Sequence, residues 1–205
     1  MDARITIIDG TQKKSLSDYS INRSLFQWNT RNRIVVANIA GYYGKKVGVN
    51  GVGASYVDKG IAHYDPSDGG IWIAPNLNGK VSSYLNDKNN LMNVLVHENK
   101  HKTDDINGVD GSYESHVNVY LFQTADKSFK ETTPDFKKLI IGNLLDYMYG
   151  IDDPGKRRTI IENFNDNNSA GYKLDETYSS GYGWGITNDK GQTEYVIPIK
   201  PDSHN

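Results

Sequence analysis

Cysteine is missing from this chain altogether. Disulfide bonds, thiolate metal ligands and a cysteine nucleophile are therefore excluded, although this absence does not fix the cellular compartment. Long apolar runs are missing too, since no stretch reaches the roughly 18 residues of a transmembrane helix. We therefore expect no membrane partner. No basic segment followed by an apolar one opens the chain, so we also expect no signal peptide.

A strong charge of either sign is also lacking, because 23 Lys and Arg nearly balance 25 Asp and Glu and the net charge is -2. No basic stripe runs along the sequence, so nucleic acid is not an expected partner. The 205 residues include 37% hydrophobic ones and 14 tyrosines, which favours a globular protein over a disordered one. This length fits one domain with a real core, with or without a small appendage.

Histidine is scarce, with five in the chain, but two of them belong to an H-E-x-x-H string from His97 to His101. On a helix these two imidazoles project from the same face about one turn apart, so they can bind one metal ion from one side. Glu98 can then reach the water that completes the coordination, which is the chemistry of a zinc hydrolase. We predict Zn²⁺ as the cofactor, His97 and His101 as ligands and Glu98 as the catalytic residue. The simpler alternative is an amphipathic helix with solvated or hydrogen-bonded histidines.

The residues before the motif support a helical setting. Leu91–Val96 is mostly apolar and contains no Gly or Pro, which predicts a buried helix with Asp87 or Asn89 at its start. Farther upstream, Ile61–Tyr64 and Ile71–Ala74 flank turn-forming residues and predict a hairpin. We interpret the second strand of this hairpin as the sheet edge along which an extended peptide pairs.

Other elements are predicted from local signals. Residues Leu25–Tyr43 favour a helix ending near Gly44, with a strand over Ile34–Ala37 as a close alternative. The glycine-rich segment Lys45–Tyr56 lacks the spacing of a phosphate loop and indicates a turn between short strands. Downstream of the motif we predict three helices and a hairpin: a helix capped by Ser112 and running to Phe129, Pro134–Tyr149, Pro154–Phe164, and a hairpin within Gly185–Ile199.

These elements predict an α+β fold in a single domain over residues 1–205. Residues 1–90 form its β-rich part with one helix, 91–165 its helical part with the metal site, and 166–205 a Tyr- and Gly-rich tail. The expected architecture is a small, mostly antiparallel sheet packed on the motif helix, followed by a helical C-terminal part.

A catalytic zinc site needs a third protein ligand and an open water position. Five acidic or histidine residues after the motif are candidates: Asp104, Asp105, Asp110, Glu114 and His116. Asp105 lies on the metal-binding face, but one turn beyond the histidine pair. We favour Glu114, because it lies in the first turn of the next helix, which can bring its carboxylate over the pair. His116 and Asp110 stay open as alternatives.

The H-E-N-K-H string, followed thirteen residues after His101 by Glu114, resembles the gluzincin branch of the zincin metallopeptidases. In that family the third ligand lies on the next helix, commonly within E-x-x-x-D. The matching residues here run from Glu114 to Asn118, so an asparagine replaces the final aspartate. Asn118 can still orient an imidazole by accepting a hydrogen bond, with less help from charge. The resemblance covers about a quarter of the chain, and it implies a zincin-like fold and zinc-dependent hydrolysis of peptide bonds.

A compact, cysteine-free, Tyr- and Asn-rich zincin domain is also similar to the metallopeptidase domains of bacterial polymorphic toxins. That resemblance implies a protein or peptide substrate, an immunity or inhibitor protein as a partner, and export within a larger protein or by a dedicated secretion system. We therefore expect a secreted or injected effector metalloendopeptidase. Two alternatives stay open: an inactive zincin-like module that binds a protein, and a zinc amidase acting on a non-protein amide.

The predicted mechanism gives each site residue a task. His97, His101 and Glu114 hold the metal, and Glu98 accepts a proton from the attacking water and passes it to the leaving amine. A second donor normally supports the developing oxyanion. The candidates for that donor are His116, Tyr113, Tyr178 and Tyr182.

Overall fold

The computed structural model describes residues 3–22, 30–175 and 183–198, and the chain divides into two compact units, Met1–Asp110 and Gly111–Asn205. Helices and small sheets occur in both units, which confirms the predicted α+β class. Within the three described ranges, every helix is too short or too polar to cross a bilayer. The assignment of both units to one domain stays a prediction.

Two small sheets and two long helices lie in the described part of the first unit. Its elements are β1 (Ile7–Asp9), β2 (Gln12–Lys14), α1 (Thr30–Lys46), β3 (Val52–Ala54), β4 (Ala62–Asp65), β5 (Gly70–Ile73) and α2 (Lys88–Ile106). Short 3-10 turns cover Leu16–Asp18 and Ser83–Asn86. The helix α2 carries the H-E-x-x-H string and packs on α1 and on strands β4 and β5.

The three-stranded sheet of this unit has the order β3-β5-β4. Strands β4 and β5 pair antiparallel, with Ala62 opposite Ile73 and Asp65 opposite Gly70, which confirms the predicted hairpin. The prediction that the second hairpin strand is a sheet edge is wrong. Strand β3, from the glycine-rich segment, pairs with β5 in parallel and covers that side, so β5 is central and β4 is an edge.

The helix α1 confirms the helical interpretation of its segment and rules out a strand over Ile34–Ala37. Its predicted start at Leu25 lies outside the described residues. Val36 and Ala40 are buried, and Gly44 fits closely, because an added Cβ atom would lie 3.0 Å from the Val49 carbonyl oxygen. The absence of a side chain at Gly44 therefore allows a close approach, and the helix continues to Lys46.

The helix α2 begins as predicted from its cap. The Asp87 carboxylate accepts hydrogen bonds from the N–H groups of Asn89 and Asn90, at 2.8 and 3.2 Å. Leu91 and Leu95 are fully buried. Burial of an apolar side chain of this size stabilises the fold by about 1.5–3 kcal/mol. The helix is therefore fixed at the turns that lead directly into the motif.

The second unit is mainly helical. Its elements are α3 (Tyr113–Ala125), α4 (Lys127–Lys130), α5 (Pro134–Tyr149), α6 (Pro154–Asn167), β6 (Lys173–Asp175), β7 (Gly183–Thr187) and β8 (Thr193–Pro198). The three predicted helices and the β7–β8 hairpin are confirmed, and the hairpin gains β6 as a third strand. The predicted continuation of α3 to Phe129 is wrong, because the Asp126 carboxylate caps a new short helix by accepting the Ser128 N–H at 2.8 Å.

The core of the second unit lies where α3 packs on α5 and α6. Thr133 and Asp153 cap α5 and α6, and each cap is followed by proline, which suits the first turn of a helix. The buried apolar side chains of these three helices include Val117, Phe136, Ile141, Leu144, Met148 and Phe164. The first turn of α3 is more exposed than this core and carries the residues predicted as ligands.

Candidate metal and catalytic site

The two motif histidines lie one turn apart on α2 with converging rings. The Nε2 atoms of His97 and His101 are 3.2 Å apart, and the ring centroids are 4.8 Å apart. Two imidazole nitrogens bound to one tetrahedral zinc at its usual ligand distance would be separated by ~3.3 Å. The observed pair fits that requirement. Burial also lowers the pKa of His101, which favours the neutral form that a metal ligand needs.

Glu98 lies between these histidines in the chain and is buried, with 7% of its surface exposed. Burial raises the pKa of Glu98 to about 7, although the Tyr64 N–H opposes this shift by donating a hydrogen bond to Oε2 at 2.9 Å. A carboxyl group with a pKa near neutrality can both accept and release a proton. The environment of Glu98 therefore suits general acid–base chemistry, and it combines a fixed donor with low solvent access.

The acidic residues that follow on α2 have other contacts. Asp104 forms an ion pair with Lys100, one turn earlier on the helix. Asp105 accepts a hydrogen bond from the Tyr64 hydroxyl at 2.7 Å. Asp110 lies exposed after the end of the helix. Within the first unit, the two motif histidines thus converge and the buried Glu98 directly follows His97 in the chain. Asp104 is paired with Lys100, and Asp105 is bonded to Tyr64 of β4.

The candidates on α3 differ in their surroundings within the second unit. Glu114 is about half exposed and forms an ion pair with Lys156 of α6. His116 is partly buried, and its ring stacks on that of Tyr147 from α5, with centroids 4.0 Å apart and planes 10° apart. Two residues apart, these side chains project from nearly opposite sides of the helix. Asn118, the predicted partner of a metal-bound imidazole, is exposed.

Of the four predicted oxyanion donors, His116 and Tyr113 lie in the part of the chain that the structure describes. The Tyr113 ring is 54% exposed and lies 6.0 Å from that of Tyr147, centroid to centroid. Tyr178 and Tyr182 lie outside the described residues. Sequence reasoning missed Tyr64 and Tyr147, because neither stands near a motif. For Tyr64, the one available signal was its place in a predicted strand, where successive residues point to opposite sides. That signal does not show which backbone N–H donates to Glu98.

A buried carboxyl group and two converging histidines on one helix are typical of a metal-dependent hydrolase. The sequence profile of the family described as metallopeptidase toxin 2 matches residues 1–169 of the 205. The chain belongs to this family. It is a metallopeptidase toxin domain that requires a metal and acts on a protein substrate, which confirms the predicted activity and toxin role. Neither a curated protein nor a solved structure matches the chain.

Proposed function

We propose that this domain is a zinc metalloendopeptidase with a zincin-like catalytic arrangement, in which Glu98 is the general base. The observation that carries the proposal is the geometry of α2. His97 and His101 present nitrogens 3.2 Å apart, and the buried Glu98 carboxyl group between them in the chain has a pKa of about 7. Imidazole nitrogens without thiolates suit zinc in a hydrolytic site, and the chain contains no cysteine.

The third ligand is proposed to come from α3, with Glu114 and His116 as the two candidates. The half-exposed Glu114 carboxylate is neutralised by Lys156, and a metal would have to compete with that ammonium group. The His116 ring is instead held flat against Tyr147. A third imidazole nitrogen would also match the ligand type that His97 and His101 already supply, and three histidines are a known ligand set for catalytic zinc. These observations support His116 over the carboxylate that the gluzincin resemblance implies.

When bound, zinc would supply Lewis-acid polarisation of the scissile carbonyl and a water of lowered pKa. The chain supplies the proton transfers. An oxygen of the Glu98 carboxylate accepts the proton of the attacking water and then delivers it to the leaving amine nitrogen. The Tyr64 N–H donates to Oε2 and orients the carboxylate for both transfers. His97 and His101 would hold the zinc through the nitrogens of neutral imidazoles, as metal ligation requires.

The decisive variant is Glu98→Gln, which keeps the size of the side chain and removes the base. We expect stoichiometric zinc by elemental analysis and a loss of peptide hydrolysis of ~10²–10⁴-fold, as is typical for a general base. Cleavage of an unfolded protein substrate, followed by mass spectrometry, measures the effect. Full activity in this variant would overturn the proposed role of Glu98, whatever its zinc content.

We further propose that an immunity protein protects the cell that makes this toxin. The support is the family and the proposed chemistry, because a peptidase acting on cellular proteins endangers its producer. We also propose export within a larger protein or by a dedicated secretion system, which the resemblance to polymorphic toxins implies. A pull-down with the Glu98→Gln variant, expressed in the producing strain, tests for a tight inhibitory partner.

A further inference from the structure

One face of α2 is fastened to the β4–β5 hairpin by three polar side chains. They stand at positions i, i+4 and i+7, which share one side of a helix: Glu98, Lys102 and Asp105. The Lys102 ammonium group donates to the Gly69 carbonyl oxygen in the hairpin turn at 2.8 Å. The other two side chains both meet Tyr64. A single strand residue therefore contacts α2 at two points about 10 Å apart along the helix.

The two contacts of Tyr64 come from different parts of the residue. Its backbone N–H donates to Glu98 Oε2 at 2.9 Å, and its hydroxyl donates to the Asp105 carboxylate at 2.7 Å. Among the described residues, this N–H is the hydrogen-bond donor that the Glu98 side chain contacts. The backbone of Tyr64 thus links the edge strand β4 to the proposed general base Glu98, and the phenol of Tyr64 holds this residue to α2 through Asp105.

The pairing of the strands explains why the Tyr64 N–H is available. In an antiparallel pair, alternate residues direct their backbone groups towards the partner strand and away from it. The Ile61 and Asp65 carbonyl oxygens accept N–H groups from Ala74 and Gly69 on the hairpin side. Tyr64 has the opposite orientation, and β4 is an edge strand, so its N–H points out of the sheet towards α2.

We propose that Tyr64 is a positioning residue, whose phenol, held by Asp105, fixes β4 against α2 so that the Tyr64 N–H orients the Glu98 carboxylate for proton transfer. This inference rests on the proposed function of Glu98. A glutamate side chain has several rotatable bonds and therefore several accessible rotamers. The fixed donor selects one of them, and the phenol–carboxylate bond keeps that donor in place. Small displacements of catalytic groups have large effects on rate.

The test combines Tyr64→Phe with two substitutions of Asp105. Tyr64→Phe keeps the ring and the backbone N–H but removes the hydroxyl donor. We expect kcat to fall about tenfold with unchanged KM and zinc content, since misplacement slows chemistry without weakening substrate binding. Asp105→Ala should reproduce this loss, and Asp105→Asn should retain most of the activity because its amide oxygen can accept the phenol proton. The matched control is Tyr42→Phe, which removes a hydroxyl from an exposed tyrosine on α1 and should leave kcat unchanged.

A second measurement does not depend on the metal-loaded enzyme. The amide proton of residue 64 donates to a carboxylate, so its NMR chemical shift should move in Glu98→Gln. It should also move in Tyr64→Phe and Asp105→Ala, but not in Asp105→Asn or Tyr42→Phe. A purely structural role for the phenol would lower the melting temperature and leave both this shift and kcat per folded molecule unchanged, which would overturn the proposal.

The two proposals fail in distinguishable ways. If Glu98→Gln keeps full activity, the assignment of the general base fails and the catalytic role of Tyr64 fails with it. If Glu98→Gln is inactive while Tyr64→Phe keeps its kcat and amide shift, only the role of Tyr64 is overturned. Because Asp105→Ala leaves the tyrosine ring intact, it gives an independent answer should Tyr64→Phe fold poorly.

Discussion

The two helices that carry the candidate ligands differ in how far their polar side chains are buried. On α2, His97 and Glu98 are 8% and 7% exposed, and Glu98 has a fixed backbone donor. On α3, the Glu114 carboxylate is about half exposed and is shared with Lys156. Removal from water shifts the pKa of a carboxyl group upward, whereas an exposed ion pair changes its chemistry little. Burial, rather than the mere presence of a glutamate, thus separates the proposed general base Glu98 from the surface carboxylate of Glu114.

The largest expected effect comes from the buried helix. His97→Ala removes one of two nitrogens that lie 3.2 Å apart, so stoichiometric zinc should be lost and hydrolysis should fall to the background of a sample without enzyme. Elemental analysis and a protein-cleavage assay measure the two quantities. Zinc retained at one ion per chain would show that the metal binds elsewhere. The burial of α2 would then no longer mark it as the metal-binding helix.

A paired experiment on α3 sharpens the comparison. His116→Ala should weaken zinc binding by more than about 100-fold, the upper end for a residue that only orients a ligand. Glu114→Gln removes the charge that pairs with Lys156, and it should keep zinc affinity and activity within about twofold. Competition with a chelator of known affinity measures both variants. The reverse result would assign Glu114 as the third ligand, as the gluzincin resemblance predicts.

A smaller effect is expected on stability alone, where substitutions in the buried and exposed parts of α2 should change the free energy of unfolding by different amounts. Leu95 is fully buried, and Leu95→Ala should destabilise the protein by ~2–5 kcal/mol through lost burial and a residual cavity. Ile106, at the end of the helix, is 73% exposed, and Ile106→Ala should change the free energy of unfolding by less than about 0.5 kcal/mol. Urea denaturation of the zinc-free protein compares them. Equal effects would contradict the observed gradient of burial along α2.

Much of this architecture is predictable because its signals are local. Asp87 and Ser112 mark helix starts as capping residues, and the proline at position 134 opens α5 where its missing N–H costs nothing. The H-E-x-x-H spacing likewise places two imidazoles on one helical face without any knowledge of the fold. Each of these inferences uses residues within a few positions of one another.

The parts that sequence reasoning missed depend on distant partners. Strand β3 pairs in parallel with β5, and that pairing turns the expected sheet edge into a central strand. The hydrogen bond from Tyr64 to Glu98 joins residues 34 positions apart. The choice between Glu114 and His116 depends on how α3 is rotated towards α5 and α6. In the observed rotation, Lys156 of α6 pairs with Glu114 and Tyr147 of α5 stacks on His116. A pattern within one helix does not set that rotation.

The abrupt change in burial along α2 has a consequence for how this protein can evolve. Side chains are buried almost continuously up to Glu98, and from Asn99 onward the helix emerges towards solvent. Apart from His101, Lys102, Asp105 and the Lys100–Asp104 ion pair, the emerging half is open to substitution, while the half before it is not. A lineage of such toxins can therefore change the exposed surface of α2 without altering the residues proposed to perform the chemistry.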